Sequence, residues 1–111
     1  MNARRKRQLE AVGFKVTSVR ELLELTDEEA AFIEMKLALA DDLKQRRLAR
    51  KLSQAELSKL LGSSQSRVAK MEAAEESVSI DLLLRSLLAV GATRRDLARI
   101  IAAPPTKRAA A

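Results

Sequence analysis

Apolar residues recur along most of this chain at three- and four-residue spacing, and the polar residues between them fall where helices start and stop. Between residues 27 and 50, Phe32, Ile33, Met35, Leu37, Leu39, Ala40, Leu43 and Leu48 follow a helical period with some extra members, the pattern of one long helix. Thr26-Asp27-Glu28-Glu29 precedes it. That run is a capping box with an acidic first turn, suited to the positive end of a helix dipole. Ser53-Gln54-Ala55-Glu56 repeats the signal and opens a helix with Ala55, Leu57, Leu60 and Leu61 on or near one face. Gly62 stands where a left-handed residue ends a helix. Ser63-Ser64 supplies the next cap, for a helix over 65–74 with Val68 and Met71 inward. Ser79 opens a leucine-rich helix over 80–90 (Leu82, Leu83, Leu84, Leu87, Leu88), stopped by Gly91. Thr93 to Asp96 caps a last helix to Ala102, with Leu97, Ile100 and Ile101 apolar, and Pro104-Pro105 cannot continue it.

The flanks read differently. Residues 3–12 predict a short basic helix stopped at Gly13, and Phe14, Val16 and Val19 form a small apolar entry segment. Ser18 caps a short helix to Leu25. The expected organisation is a basic arm and short helix over 1–25, a domain over 26–102, and a disordered basic, alanine-rich tail over 103–111.

Composition agrees with an all-α fold. Leu, Ala, Glu, Lys and Arg dominate, while Phe14 and Phe32 are the only aromatic residues of the 111, too few for a strand-rich core. There is no cysteine and no histidine. That excludes a disulfide framework and a zinc site of the usual Cys/His kind, and removes the commonest general base. With no plausible triad, metal cluster or phosphate-cradling glycine loop, the chain is expected to be no enzyme and to need no cofactor or metal. No stretch approaches the roughly 20 apolar residues of a membrane span, and the basic start lacks the apolar run of a signal peptide. The expected location is the cytoplasm.

Charge sharpens the picture through its distribution. The net charge is +6, but residues 20–42 carry two basic and eight acidic side chains, and residues 43–70 carry eight basic and one acidic. A basic block beside an acidic one suits a defined anionic partner. Charge runs are more often solvated helix faces, and cations at 44–51 also complement the C-terminal end of the long helix.

The segment 53–73 satisfies the demands of a helix-turn-helix, two short helices joined steeply by a three- or four-residue turn. Gly62 sits at the turn, and small Ser58 sits where the second helix crosses the first. Leu57, Leu61, Val68 and Met71 plug the angle. Gln65, Ser66, Arg67 and Lys70 are left outward, all able to hydrogen-bond and none acidic.

These residues, from Ser53-Gln54-Ala55-Glu56-Leu57 through Leu60-Leu61-Gly62 and Gln65 to Val68 and Met71-Glu72, resemble the Xre, or Cro/cI-like, family of helix-turn-helix repressors. Ser58 stands for the family's usual alanine, Ser63 for its usual apolar residue, and Ala73-Ala74 for its usual glycine after the second helix. The resemblance implies a five-helix domain over about 37–101 that binds double-stranded DNA. It implies that Gln54 meets a phosphate and braces the recognition helix, and that Gln65 is the first base reader, an amide being able to pair with both N6 and N7 of adenine. Ser66 and Lys70 follow as base-edge candidates, Arg67 for guanine or a phosphate, Ser64 for a phosphate, and Lys44 and Arg46 as backbone clamps. Arg47 and Glu72 match a structural ion pair of the family. A homodimer on an inverted repeat is implied, with Leu84, Leu88, Leu97 and Ile101 as its candidate surface.

The run from Leu25-Thr26-Asp27-Glu28-Glu29 through Arg46-Arg47, followed by Leu52-Ser53-Gln54-Ala55-Glu56-Leu57, also resembles a subgroup of the family that acts as antitoxins in type II toxin–antitoxin pairs, near the Hig type, with residues 20–42 as an acidic surface for the partner. That implies an antitoxin and autorepressor with a basic, ribonuclease-like toxin as partner. The alternatives are a phage-like or housekeeping repressor without a toxin, and an adaptor whose motif has lost DNA, against which the basic block at 43–70 argues.

Overall fold

A computed structural model describes residues 25–103 of the chain; the expected elements over 1–24 and the expected tail from 104 lie outside them. The described residues hold five helices and no strand: α1 Asp27–Ala49, α2 Gln54–Leu61, α3 Gln65–Glu72, α4 Ile80–Ala89 and α5 Arg94–Ala102. Two compact units divide the chain, Met1–Ile33 and Glu34–Ala111.

In the first unit, Thr26 and Glu29 form the expected capping box. The Thr26 amide donates to Glu29 Oε1 at 3.2 Å, and the Glu29 amide donates to Thr26 Oγ1 at 3.1 Å.

The second unit has its own core, made of Ala38, Leu39, Ala40, Leu43, Leu57, Val68, Met71, Val78, Leu83, Leu87, Val90, Ala92, Leu97 and Ile100. Every helix after α1 gives at least one residue to it. On α1 the buried stripe is narrower than the apolar pattern: Leu39, Ala40 and Leu43 are in the core, whereas Leu37 and Leu48 are exposed. Phe32 and Ile33, in the first unit, are exposed as well.

Starts and stops follow local chemistry. Ser53, Ser64, Ser79 and Thr93 each adopt extended backbone and accept from the amide three residues on. The capping boxes of Ser53 with Glu56 and Thr93 with Asp96 are complete. The first four helices end alike, in a left-handed residue with a six-to-one backbone bond across it. The bonds are Leu52 N to Arg47 O at 3.1 Å, Ser63 N to Ser58 O at 2.8 Å, Glu75 N to Lys70 O at 3.1 Å and Ala92 N to Leu87 O at 2.9 Å. Two of those left-handed positions are glycine, Gly62 and Gly91; the other two are Lys51 (φ 59°) and Ala74 (φ 53°). The helix expected over 65–74 therefore stops at Glu72, and Ala74 takes the strained turn where glycine would be unstrained.

One expectation is corrected. Leu97, expected on an association surface with Leu84, Leu88 and Ile101, lies in the core, and Leu84 packs partly against that core. Only Leu88 and Ile101 of the four are exposed. On α5 the residues one turn apart, Leu97 and Ile100, are the inward pair, which leaves Ile101 outside.

Candidate nucleic-acid interface

The site is built on α3, and the fold holds that helix from beneath. Val68 and Met71, one turn apart, are wholly buried, as is Leu57 on α2, and Leu61 packs partly against them. Ser58, at the crossing of α2 and α3, is buried and sends its hydroxyl back to Ala55 O at 2.6 Å, so the hydroxyl that replaces a methyl there is satisfied within its own helix. The Ser86 hydroxyl donates to the Met71 sulfur at 3.4 Å. Among the described residues no buried side-chain nitrogen or oxygen lacks a partner.

The C-terminal end of α3 is fixed by charge. Arg47 of α1 donates from Nε to Glu72 Oε2 at 2.6 Å and from Nη2 to Glu72 Oε1 at 3.0 Å. Its third arm, Nη1, donates to Leu52 O at 2.8 Å, in the link between α1 and α2. The Arg47 side chain keeps 10% of its exposure and that of Glu72 keeps 4%. The hydrogen bond to Glu72 raises the guanidinium pKa above its ordinary value, against burial, which lowers it. Gln54, the first residue of α2, donates from Nε2 to Glu72 Oε1 at 3.1 Å. One carboxylate thus ties α1, α2 and α3 together.

With its inner face and end fixed, α3 presents Gln65, Ser66, Arg67 and Lys70 to solvent, and Ser64 ahead of them is also exposed. Ser64 Oγ accepts from the Arg67 amide at 3.1 Å, so this hydroxyl already caps the helix. Lys44 is exposed on α1. Arg46 is differently placed: Nε meets Asp42 Oδ2 at 2.5 Å, and Nη2 lies 3.5 Å from Asp96 Oδ2 on α5. Two carboxylates occupy its guanidinium, which makes it a tie between α1 and α5.

Residues 43–86 match the helix-turn-helix family model. This stretch is a helix-turn-helix domain of the Cro/cI-like, all-α kind. The match takes in the last part of α1, all of α2 and α3, and α4 as far as Ser86. It supports a DNA-binding transcription regulator. No curated protein and no solved structure matches the chain. No helix among the described residues is long and apolar enough to cross a membrane.

Sequence reasoning missed two ties to this domain. Lys36 of α1 donates from Nζ to Glu75 O at 2.7 Å and to Glu76 O at 3.4 Å, just beyond α3. No local pattern marks it, because its acceptors are backbone carbonyls 39 and 40 residues away. The second is the Arg46 bond to Asp96, between residues fifty positions apart.

Proposed function

We propose that this protein is a sequence-specific repressor that inserts α3 into the major groove of double-stranded DNA and reads base edges with Gln65, supported by Ser66, Arg67 and Lys70. The observation that carries the reading is the division of α3 into two faces: Val68, Met71 and Glu72 are locked inside, while every outward residue from Gln65 to Lys70 is a hydrogen-bonding side chain without negative charge. A helix held this firmly at one end can place an amide at a base edge, where bidentate pairing distinguishes adenine. Ser64, the start of α3 and Lys44 would meet phosphates, which position the protein without reading sequence. Gln54 donates once to Glu72, and its second amide hydrogen would serve a phosphate.

One such motif reads few base pairs, so the repressor would act as a homodimer on an inverted repeat with half-site centres about 34 Å apart. Leu88 and Ile101 are the exposed apolar residues that remain for that contact. Selection from a randomised duplex library by the full chain tests the whole reading: enrichment of an inverted repeat is the expected result, and no enrichment over input would refute it.

The finer proposal is an antitoxin that represses its own operon. Its support is the resemblance noted above and the acidic stretch 20–42, of which Asp27, Glu28 and Glu29 form the first turn of α1. The partner would be a basic, ribonuclease-like protein. Co-expression with the neighbouring gene should yield a stable complex; a monodisperse repressor free of that product would leave the plain repressor as the function.

A further inference from the structure

The part of α1 that precedes the matched domain is not an accessory. Ala38, Leu39 and Ala40 lie upstream of residue 43, where the family match begins, yet each is buried in the core with the helix-turn-helix residues. Lys36, Ala40, Leu43 and Arg47 follow one another at spacings of four, three and four, so they occupy a single stripe of α1. Its two inner members are wholly apolar and buried. Its two outer members are cations, and both hold the exit of α3: Arg47 takes the Glu72 carboxylate, and Lys36 takes the Glu75 and Glu76 carbonyls.

The segment that Lys36 holds is also the strained one. Ala74 sits in left-handed backbone immediately before Glu75. Glu75 closes the turn by donating to Lys70 O at 3.1 Å, and its own carbonyl accepts from the Val78 amide at 2.9 Å as well as from Lys36. An ammonium at the C-terminal end of a helix complements the local dipole, and a charged donor makes the stronger kind of hydrogen bond. The motif closes this turn with its own backbone bonds; Lys36 adds a side-chain restraint from outside it.

We propose that Lys36 is a positioning residue for DNA recognition: it clasps the strained exit of α3 and thereby fixes the orientation in which the helix offers Gln65 to a base. This rests on the DNA-reading function proposed above. Its ammonium is turned to the protein backbone, so the role proposed for Lys36 is positioning and not contact with a phosphate.

The test uses the full chain, the duplex most enriched by the wild type, and a shuffled duplex of the same composition. In Lys36→Met the amides of Glu75 and Val78 should exchange about tenfold faster, while those of Leu57 and Leu87 keep their protection. Affinity for the enriched duplex should fall about tenfold, the low end for losing one base contact. Affinity for the shuffled duplex and the salt slope should not move. Lys36→Arg, which restores a charged donor, should recover the discrimination. Should Lys36→Met fail to fold, Lys36→Gln is the second variant, with the same pattern expected at smaller amplitude. Equal losses on both duplexes with a shallower salt slope would make Lys36 a phosphate contact and overturn the proposal. Unchanged exchange or unchanged discrimination in a wild type that does discriminate would overturn it too. A wild type that enriches no duplex would instead overturn the DNA-reading function, and the exchange result would still judge the clasp.

Discussion

Arg47 holds Glu72 by two hydrogen bonds, 2.6 and 3.0 Å, across 25 residues of sequence, and this pair fixes the C-terminal end of α3. Both side chains are nearly buried, so removing one partner strands the other away from water. Glu72→Ala should cost about 3 kcal/mol, the low end for breaking a buried pair. Urea unfolding at neutral pH reads it. The double variant Arg47→Met, Glu72→Met should cost less than Glu72→Ala, because no unpaired charge is left behind; a larger cost would mean that the pair itself, and not the stranded charge, dominates.

Ala74 and Gly62 make a matched test of backbone strain. Both occupy left-handed turns after a helix of the motif, at φ 53° and 65°. Ala74→Gly should stabilise the protein by about 1 kcal/mol, and Gly62→Ala should destabilise it by a similar amount. A methyl at Gly62 would meet nothing within 4 Å, so its cost is conformational, not steric. Thermal melts of both variants decide the matter, opposite shifts being the expected outcome.

Acid should loosen the domain through its caps. The Ser53 amide holds the Glu56 carboxyl below its ordinary pKa, with the Ser53 hydroxyl adding to the effect. The Thr93 amide and hydroxyl do the same for Asp96, with smaller help from Arg46 and Arg99. A carboxyl depressed in the folded state binds its proton more readily when unfolded. Its contribution is therefore complete above the ordinary carboxylate pKa of about 4 and is lost as pH falls from there through the depressed value. Melting temperatures of wild type and of Glu56→Ala, Asp96→Ala should converge as pH drops through that window and differ most near neutrality. A constant gap across the series would rule out both carboxylates as the source.

Lys44 and Arg46 lie two residues apart and should behave differently. Lys44→Ala is expected to weaken binding to all duplexes alike and to reduce the salt slope by about one unit. Arg46 is engaged by Asp42 and Asp96, so Arg46→Ala should leave the slope unchanged and lower stability by less than about 1 kcal/mol, as partly exposed ion pairs do. Binding isotherms at several salt concentrations separate them; a slope change in Arg46→Ala would return it to the interface.

Much of this fold was legible because helix ends are local chemistry. Ser53 with Glu56, Ser64, Ser79, and Thr93 with Asp96 each declare a start within four residues. The burial of Leu57, Val68 and Met71 followed from spacing within the motif, but the same spacing set Leu60 beside Leu57, and Leu60 is exposed. What spacing could not decide was the facing of α1, whose apolar residues lie on several sides; tertiary packing selects Leu39, Ala40 and Leu43 and leaves Leu37 and Leu48 in solvent. The same ambiguity put Leu97 on a surface when it belongs to the core. Arg46 read as a backbone clamp, and what spacing could not show is its second partner, Asp96, on another helix. Lys36 was silent because a lysine that bonds to carbonyls leaves no trace in a side-chain pattern. The stop after Glu72 was hidden for a further reason: Ala74 adopts a conformation that its type rarely signals.

Gln65 carries the central claim, and its replacement tests that claim most directly. Gln65→Ala removes an exposed side chain at the first position of α3, so the fold should be untouched. Equilibrium binding to the enriched duplex should weaken by about 1–3 kcal/mol, with preference relaxed at one base pair and affinity for shuffled DNA retained. Equal weakening on enriched and shuffled duplexes, or no weakening on either, would contradict α3 as the reading helix.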